Sequence, residues 1–188
     1  MNPAGDDPGF SVPGYFNLVE RGLLDHDDHV ELLEGLVVAS PPQNPLHASV
    51  TMGVEAALRK AVGERASIRI QMPFLAGPRS VPEPDVAVVA GSPRDYRDRH
   101  PDRALLVVEI ADSSLPQDRL TKSRIYARAG VPEYWIVNLR ERRLEMHASP
   151  DPQQRLYAEV RTVGPGERVE LAAFPGTSVA VADLVPGY

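Results

Sequence analysis

At 188 residues, the chain has the length of one compact domain with a modest extension. It is 43% apolar and 24% charged, as globular proteins usually are, and no apolar run approaches the roughly 20 residues of a membrane helix. The absence of cysteine excludes a disulfide framework and a thiolate metal site. No basic segment followed by an apolar one stands near the N-terminus, so we expect a cytoplasmic protein without membrane contact.

The net charge of −6 is concentrated at the start of the chain. Residues 1–34 carry eight acids and one base, a sum of −7, so the remaining residues sum to +1. The total charge therefore neither supports nor excludes a phosphate-bearing substrate, because the local field around a site decides that question.

Lysine is almost missing from this sequence. Eighteen of the 20 basic residues are arginine, and the only lysines are Lys60 and Lys122. A GC-rich genome accounts for the arginine preference and for Lys60, which falls on a predicted helix surface. Arginine cannot replace lysine where a compact ammonium is required, so Lys122 is a candidate for such a role.

The first third of the chain predicts a tail, a helix, a hairpin and a second helix. The tail, residues 1–14, is rich in Gly, Pro and Asp, and a short helix is expected over 15–24. Residues 30–40 predict a strand, a turn and a second strand. Apolar residues at helical spacing predict a helix over 46–62, which Gly63 ends.

The rest of the chain predicts a sheet covered by helices. The expected extended segments are 67–76, 81–90, 104–111, 133–138, 144–148, 156–163 and 169–185, with a helix over 117–129. Two of these segments, VAVVA and LLVVEIA, are continuous apolar runs, which is typical of strands buried on both faces. The sequence therefore predicts one α/β domain with a central mixed sheet flanked by helices.

Two carboxylates stand in these buried strands. Glu109 lies inside LLVVEIA, and Asp85 begins the preceding strand, directly after Pro84. A buried carboxylate must be paired, hydrogen-bonded or bound to a metal. Two oxygen donors without His or Cys nearby suit Mg²⁺ or Mn²⁺. As the alternatives, Asp85 caps a turn beside its proline and Glu109 holds an arginine.

The helix after Glu109 carries polar residues at one spacing. Asp118, Lys122 and Tyr126 are spaced i, i+4, i+8 and share a face that can lie over the end of the Glu109 strand. Lys122 then reaches the two carboxylates. The alternative is a surface Asp118–Lys122 ion pair, worth only about 0.3–0.5 kcal/mol.

At this point the sequence resembles a known family. Four segments, SVPEPDVAVV, LLVVEIADSS, DRLTKSRIYARAGVPEYWIVN and VELLEGLVVASPP, are similar to the Uma family of restriction endonucleases in the PD-(D/E)xK nuclease superfamily. The resemblance runs over residues 15–188 and implies a single domain with the restriction-endonuclease-like fold. It also implies that Asp85 and Glu109 bind Mg²⁺, with Mn²⁺ as a substitute.

The sequence also departs from the superfamily pattern. The superfamily expects a lysine two residues after the glutamate, where this chain has Ala111. In the Uma family that lysine comes from the next helix, which corresponds to Lys122. Leu36 and Asn138 stand where the family often has acids.

Three further residues match family positions or lie near the acidic pair. Glu31 is expected either to reach the metal through water or to be an exposed strand residue. His47, after a proline-rich loop, is expected more often to be a structural residue. Gln71 is expected to make a cross-strand hydrogen bond or to orient a water.

The helix that carries Lys122 contains further candidates. Asp118 and Tyr126 are expected to orient Lys122. For contacts to backbone phosphates the best candidates are Arg119, Arg124 and Arg128.

These observations predict a Mg²⁺-dependent enzyme that hydrolyses nucleic-acid phosphodiesters, with Asp85, Glu109 and Lys122 as catalytic residues. The preference for DNA comes from the resemblance alone. A homodimer is expected because two sites related by a two-fold axis cut both strands of a duplex most simply. The alternatives are a nuclease-fold protein that binds nucleic acid or a partner protein without cutting, and a purely structural protein.

Overall fold

The computed structural model describes residues 9–25, 28–40 and 42–185. The strands are β1 (Val30–Leu33), β2 (Leu36–Ala39), β3 (Ser67–Arg69), β4 (Val86–Val89), β5 (Leu106–Ala111), β6 (Glu133–Asn138), β7 (Arg143–Asp151), β8 (Leu156–Val163), β9 (Arg168–Glu170) and β10 (Ser178–Ala180). The helices are α1 (Val12–Glu20), α2 (Pro45–Val62) and α3, which joins the α-helical turn Leu115–Gln117, the π-helical turn Asp118–Lys122 and the α-helical stretch Ser123–Arg128.

Six strands form the central sheet in the order β3-β4-β5-β6-β7-β8. All neighbours are antiparallel except β5 and β6, which run parallel and are connected through α3. Every residue of β4, β5 and β6 is buried. This confirms the mixed sheet and the doubly covered central strands that the continuous apolar runs predicted.

Helices cover the two faces of the sheet, and alternation along the strands assigns side chains to each face. Val86, Val88, Leu106 and Val108 pack with the apolar stripe of α2. The intervening side chains of β4 and β5 pack instead with Ile125 and other residues of α3 and with the β1–β2 hairpin. Side chains at odd-numbered positions of β4 and β5 therefore point towards α3.

The β1–β2 hairpin lies against the α3 side of the sheet. Its two-residue turn places Glu34 at φ +51° and Gly35 at φ +91°, as a tight hairpin requires. The hairpin also forms a bridge between Leu32 and Val81. The hairpin predicted over 30–40 is thus confirmed.

The N-terminal segment differs in detail from its prediction. Helix α1 begins at Val12 and ends at Glu20, earlier than predicted, because Ser11 caps it. Of the predicted tail, residues 1–8 lie outside the described residues, while the Phe10 amide donates to the Gly35 carbonyl at 2.8 Å. In the described part of the chain, no helix has the length and apolarity to cross a membrane.

Candidate active site

The antiparallel register of β4 and β5 brings the two predicted carboxylates together. Val86 is opposite Val108, so Asp85, one residue before β4, lies beside Glu109. The Asp85 amide donates to Glu109 Oε2 at 3.3 Å. Both side chains take odd-numbered positions and point to the α3 side, and both are buried, with residue exposures of 8% and 3%.

Four neighbours hold the Asp85 carboxylate in place. The Ile110 amide donates to Asp85 Oδ2 at 2.8 Å, and His47 Nε2 lies 3.3 Å from the same oxygen. The other oxygen, Oδ1, accepts from the side-chain amides of Gln71 at 3.2 Å and Gln43 at 3.4 Å. With two contacts on each oxygen, the Asp85 carboxylate is held in one orientation.

Lys122 lies between two carboxylates. Its Nζ is 3.0 Å from Glu109 Oε1 and 3.1 Å from Glu31 Oε1, and the residue is only 7% exposed. Glu31 is itself fixed, because it accepts from the Glu83 amide at 2.6 Å and from the Ser40 hydroxyl at 3.2 Å. The interpretation of Lys122 as a surface partner of Asp118 is therefore wrong, and so is that of Glu31 as an exposed strand residue.

The charge around Lys122 fixes its protonation state. Burial lowers the pKa of Lys122, but the carboxylates of Glu109, Glu31, Asp118 and Asp85 raise it and outweigh burial, so the net shift is upward. Lys122 therefore remains an ammonium at neutral pH, where it serves as a fixed positive charge rather than as a base.

Burial of these charges raises the pKa values of two carboxyl groups in the site. Burial raises the pKa of Glu109 well above its ordinary value; Lys122 opposes that shift and Asp85 adds to it. Burial likewise raises the pKa of Asp118 to about 6, against the lowering effects of Lys122 and of the hydrogen bond from Ser114. Shifts of this kind mark groups that the fold holds together against their mutual repulsion.

The π-helical turn of α3 places three polar side chains on the site. Asp118 and Lys122 are its first and last residues, and the Ser123 amide donates back to the Asp118 carbonyl. Tyr126, one turn further, donates to Glu109 Oε1 at 2.6 Å. Tyr126 thus orients the glutamate directly, whereas the sequence suggested that it would orient the lysine. Single π-turns inside α-helices are frequent at functional sites.

His47 contacts Asp85, one member of the acidic pair. The sequence had favoured a structural role for this residue. Asn44 caps α2 by accepting from the His47 amide at 2.9 Å, which sets the first turn of that helix beside Asp85. Burial lowers the pKa of His47, but the hydrogen bond and charge of Asp85 outweigh it and raise the pKa overall. Gln71 lies after β3 rather than in a strand, so its hydrogen bond to Asp85 joins two loop residues rather than two strands as predicted.

Sequence reasoning missed several contributors to the site. Gln43 reaches Asp85 from the loop before α2, Ser114 donates to Asp118 Oδ2 at 2.7 Å, and Glu83 supplies its amide to Glu31. Glu83 carried a signal, since it is an acid between two prolines directly before Asp85. Gln43 and Ser114 carried none, because loop side chains reach the site only through the tertiary fold.

Two of the three arginines predicted to contact phosphate already have carboxylate partners. Arg119 donates to both oxygens of Glu145, at 2.9 and 2.6 Å. Arg124 donates to both oxygens of Glu34, at the hairpin turn. Arg128 is exposed at the end of α3. Contact of these residues with phosphate stays a prediction.

The donor set of the site fits a hard divalent cation. Asp85 and Glu109 are neighbouring carboxylates, since the Asp85 amide donates to Glu109 Oε2, and Ile110 follows Glu109 in β5. Over the described ranges, no three His, Cys, Asp or Glu side chains form a group that could hold a metal. Two carboxylates nevertheless suit Mg²⁺, which keeps several waters and takes further ligands from phosphate groups.

The mixed sheet holds Asp85 and Glu109 beside each other, and α3 places Lys122 over them. Among solved structures, the chain is similar to a putative nuclease of DUF820 from Anabaena variabilis. The identity is 16%, the TM-score is 0.74, and the match covers 93% of this chain and 97% of that one. This likeness confirms the predicted fold.

The sequence itself identifies the family. The family described as Uma2, "Putative restriction endonuclease", matches residues 15–182. The chain therefore belongs to the Uma2 family, as its motifs predicted. No curated protein matches it. Members of this restriction-endonuclease-like family generally use divalent metals.

Proposed function

We propose that this protein is a Mg²⁺-dependent endonuclease that hydrolyses DNA phosphodiester bonds. The observation that carries the proposal is the position of Lys122, a buried ammonium 3.0 Å from Glu109, which in turn lies beside Asp85. Membership of the Uma2 family supports the same reaction. Asp85, Glu109 and Lys122 are the proposed catalytic residues.

Asp85 and Glu109 would hold the cation, aided by the Ile110 carbonyl, and Mn²⁺ is expected to substitute for Mg²⁺. A cation bound there supplies Lewis-acid stabilisation of phosphate charge and lowers the pKa of water. Both carboxylates are positioned in advance, Asp85 by Gln71 and His47 and Glu109 by Tyr126. Prior positioning matters because donors that are already aligned need no reorganisation when the reaction occurs.

Lys122 supplies the second positive charge of the proposed mechanism. Its ammonium has three donors; Glu109 accepts one of them, and Glu31 forms an ion pair with the ammonium. A donor that has no acceptor among the described residues would bind a phosphate oxygen and stabilise the negative charge that grows there during hydrolysis. Glu31 and Asp118 act through Lys122, because their charges keep it protonated.

The proposed substrate follows from the family, and the proposed assembly follows from the site itself. DNA rather than RNA follows from the family description, since none of the site residues distinguishes the two. Because the chain has one such site, we propose a homodimer for cutting duplex DNA in the cytoplasm. Sedimentation that shows only monomer at micromolar concentration, with and without DNA, would reject the dimer.

The proposed function is tested by a cleavage assay with Mg²⁺, Mn²⁺ or EDTA on supercoiled, linear duplex and single-stranded DNA, with RNA as a further substrate. We expect cation-dependent cutting of DNA by the wild type. Asp85→Asn should remove it, whereas Lys60→Gln, on the opposite face of the sheet, should cut normally. If DNA is bound in EDTA but never cut with either cation, the protein is a binding module on a nuclease fold.

A further inference from the structure

A second group of charged residues surrounds a cavity outside the acidic site. The cavity measures about 410 Å³ and is lined by side chains that include Glu34, Arg79, Arg128 and Arg155. Its volume falls within the range of ligand-binding pockets. We call it the arginine cavity. The hairpin turn, the segment before β4, the end of α3 and the β7–β8 turn all contribute to it.

The charge of the arginine cavity is strongly positive. Arg79, Arg128 and Arg155 line it, and Arg124 adds a fourth guanidinium by pairing with Glu34. Among the described residues that line the cavity, Glu34 is the single acid, so these five residues sum to +3 in a chain of net charge −6. The hydrogen bond from Arg124 lowers the pKa of Glu34, burial opposes it, and the charges of Arg124, Arg155 and Arg128 lower it further.

Arg79 has an unused donor at this place. Its Nε is buried and has no hydrogen-bond partner in the described part of the molecule, while its Nη2 donates to the Glu34 carbonyl at 3.3 Å. Buried donors without a partner are rare because each loses its hydration without compensation. The Arg79 guanidinium, which lines the cavity, therefore has hydrogen-bonding capacity that the described residues do not use.

Arg155 adopts a backbone conformation that arginine rarely takes. It lies at φ +57° in the turn between β7 and β8, where Gly or Asn is the usual choice. Glu34, on the hairpin turn, also has positive φ, at +51°. Strained residues persist where surrounding structure or function retains them. The Arg155 side chain at this turn lines the cavity.

The arginine cavity lies a short distance from the acidic pair along two elements. Glu31 contacts Lys122 in the site, and Glu34 follows three residues later, about 10 Å along an extended chain. Lys122 and Arg128 are six residues apart on α3, about 9 Å in helical rise. Both offsets are short, so one bound nucleic-acid strand could contact the acidic pair and the arginine cavity together.

We propose that the arginine cavity is a phosphate-binding site that holds the nucleic-acid chain close to the bond that is cut. The proposal rests on the proposed nuclease function for the identity of the ligand. Guanidinium groups bind phosphate oxygens through paired hydrogen bonds, and the arrangement offers such groups from three different elements. The contact would be independent of base sequence.

The test measures binding without cleavage, by fluorescence anisotropy of a labelled duplex oligonucleotide in EDTA over a range of salt concentrations. Arg128→Gln and Arg155→Asn should each weaken binding about tenfold. Each should also reduce the slope of log K against log salt by about 0.9, as loss of one phosphate contact does. Lys60→Gln removes the same charge from the opposite face and should change neither quantity. Asn tolerates the positive φ of residue 155, so the turn is retained.

Inorganic phosphate separates the two sources of the ligand. Phosphate should raise the melting temperature of the wild type more than that of either arginine variant. If the variants lose this shift but bind the oligonucleotide like the wild type, the cavity serves free phosphate and the nucleic-acid assignment is overturned. Unchanged affinity, slope and phosphate response in both variants would overturn the site itself. A wild type that binds through the cavity yet never cuts with a cation would instead contradict the proposed function.

Discussion

At the scale of single residues, Lys122 determines how the acidic cluster is understood. It is one of two lysines, and it is buried where two carboxylates reach its ammonium. A guanidinium is larger and planar, and it cannot occupy the space of a compact ammonium between Glu109 and Glu31. The chemistry of the site therefore depends on the identity of this cation as well as on its charge.

Replacing Lys122 tests this dependence. We expect Lys122→Arg to lower the rate of Mg²⁺-dependent DNA cleavage by about 10²–10³-fold, nearly as much as Lys122→Ala, because an essential charge donor is displaced in both. Single-turnover cleavage measures the effect. Lys60→Arg is the matched control and should cut at the wild-type rate. Wild-type cleavage by Lys122→Arg would show that any cation at this position suffices.

Asp118 predicts a pH dependence of stability. Its folded-state pKa of about 6 lies above the ordinary value of 3.8, so the folded protein binds this proton more tightly than the unfolded chain. The stability that the bound proton contributes is present below about pH 4 and is lost as pH rises towards 6. The loss amounts to roughly 3 kcal/mol at most.

Asp118→Asn should therefore raise the free energy of unfolding at pH 8 by about 1–3 kcal/mol and flatten the profile between pH 4 and 6. Its amide oxygen can still accept from Ser114, which limits the structural change. Urea unfolding in EDTA at several pH values measures both effects. Parallel pH profiles for variant and wild type would show that ionisation of Asp118 does not destabilise the folded protein.

The residues of the site were predictable to different degrees for physical reasons. Asp85 and Glu109 could be identified from the sequence, because a carboxylate inside an apolar strand is costly unless it has a partner. Lys122 could be identified because lysine is rare in this chain. The contact of His47 with Asp85 could not be derived from local sequence, since it depends on where the N-terminus of α2 docks. The burial of Glu31 likewise depends on how the hairpin packs on α3.

At the scale of elements, the π-helical turn of α3 is the feature that the sequence did not predict. The i, i+4, i+8 spacing correctly grouped Asp118, Lys122 and Tyr126, but it assumed a regular helix. A π-turn contains one residue more than an α-turn, so it rotates the side chains before it relative to those after it. Here it allows both Asp118 and Lys122 to be buried at the site.

Shortening this turn by one residue tests its role. Deleting Leu120, which is 67% exposed, should convert the turn to α-helix and rotate the preceding segment by about 100° relative to Lys122. We expect a folded protein with unchanged helical circular dichroism and a cleavage rate at least about 100-fold lower. Leu120→Ala keeps the chain length and should remain active. Wild-type cleavage by the deletion variant would contradict the role given to the turn.

The observed strand lengths show which strand bounds could be predicted from the sequence pattern and which could not. The predicted bounds of β6 and β8 are confirmed, since both segments are apolar or alternating and free of proline. The segment predicted to be extended over 67–76 is a strand only at Ser67–Arg69, and β4 begins at Val86 rather than at 81. Four prolines between residues 70 and 85 remove ladder donors, and Gln71 lies at φ +48°.

At the scale of the whole molecule, the fold concentrates an excess of negative charge at the acidic site. Four carboxylates, those of Glu31, Asp85, Glu109 and Asp118, influence the single buried ammonium of Lys122. A structural ion pair would need no such excess of negative charge. An excess of this kind is what a cation-binding site contains before the cation binds, and it costs folding stability.

The central claim is that Asp85 and Glu109 are arranged for a cation, and thermal melts with and without Mn²⁺ test it most directly. We predict that Mn²⁺ raises the melting temperature of the wild type, because it binds only the folded form, and that Asp85→Asn blunts this shift. Without metal, Asp85→Asn and Glu109→Gln should match the wild type or exceed its stability by about 0.5–2 kcal/mol, since Lys122 keeps Glu31 as a partner. Destabilisation of Glu109→Gln by about 3–5 kcal/mol, with no effect of Mn²⁺ on the wild type, would contradict the claim and make the cluster a structural ion pair.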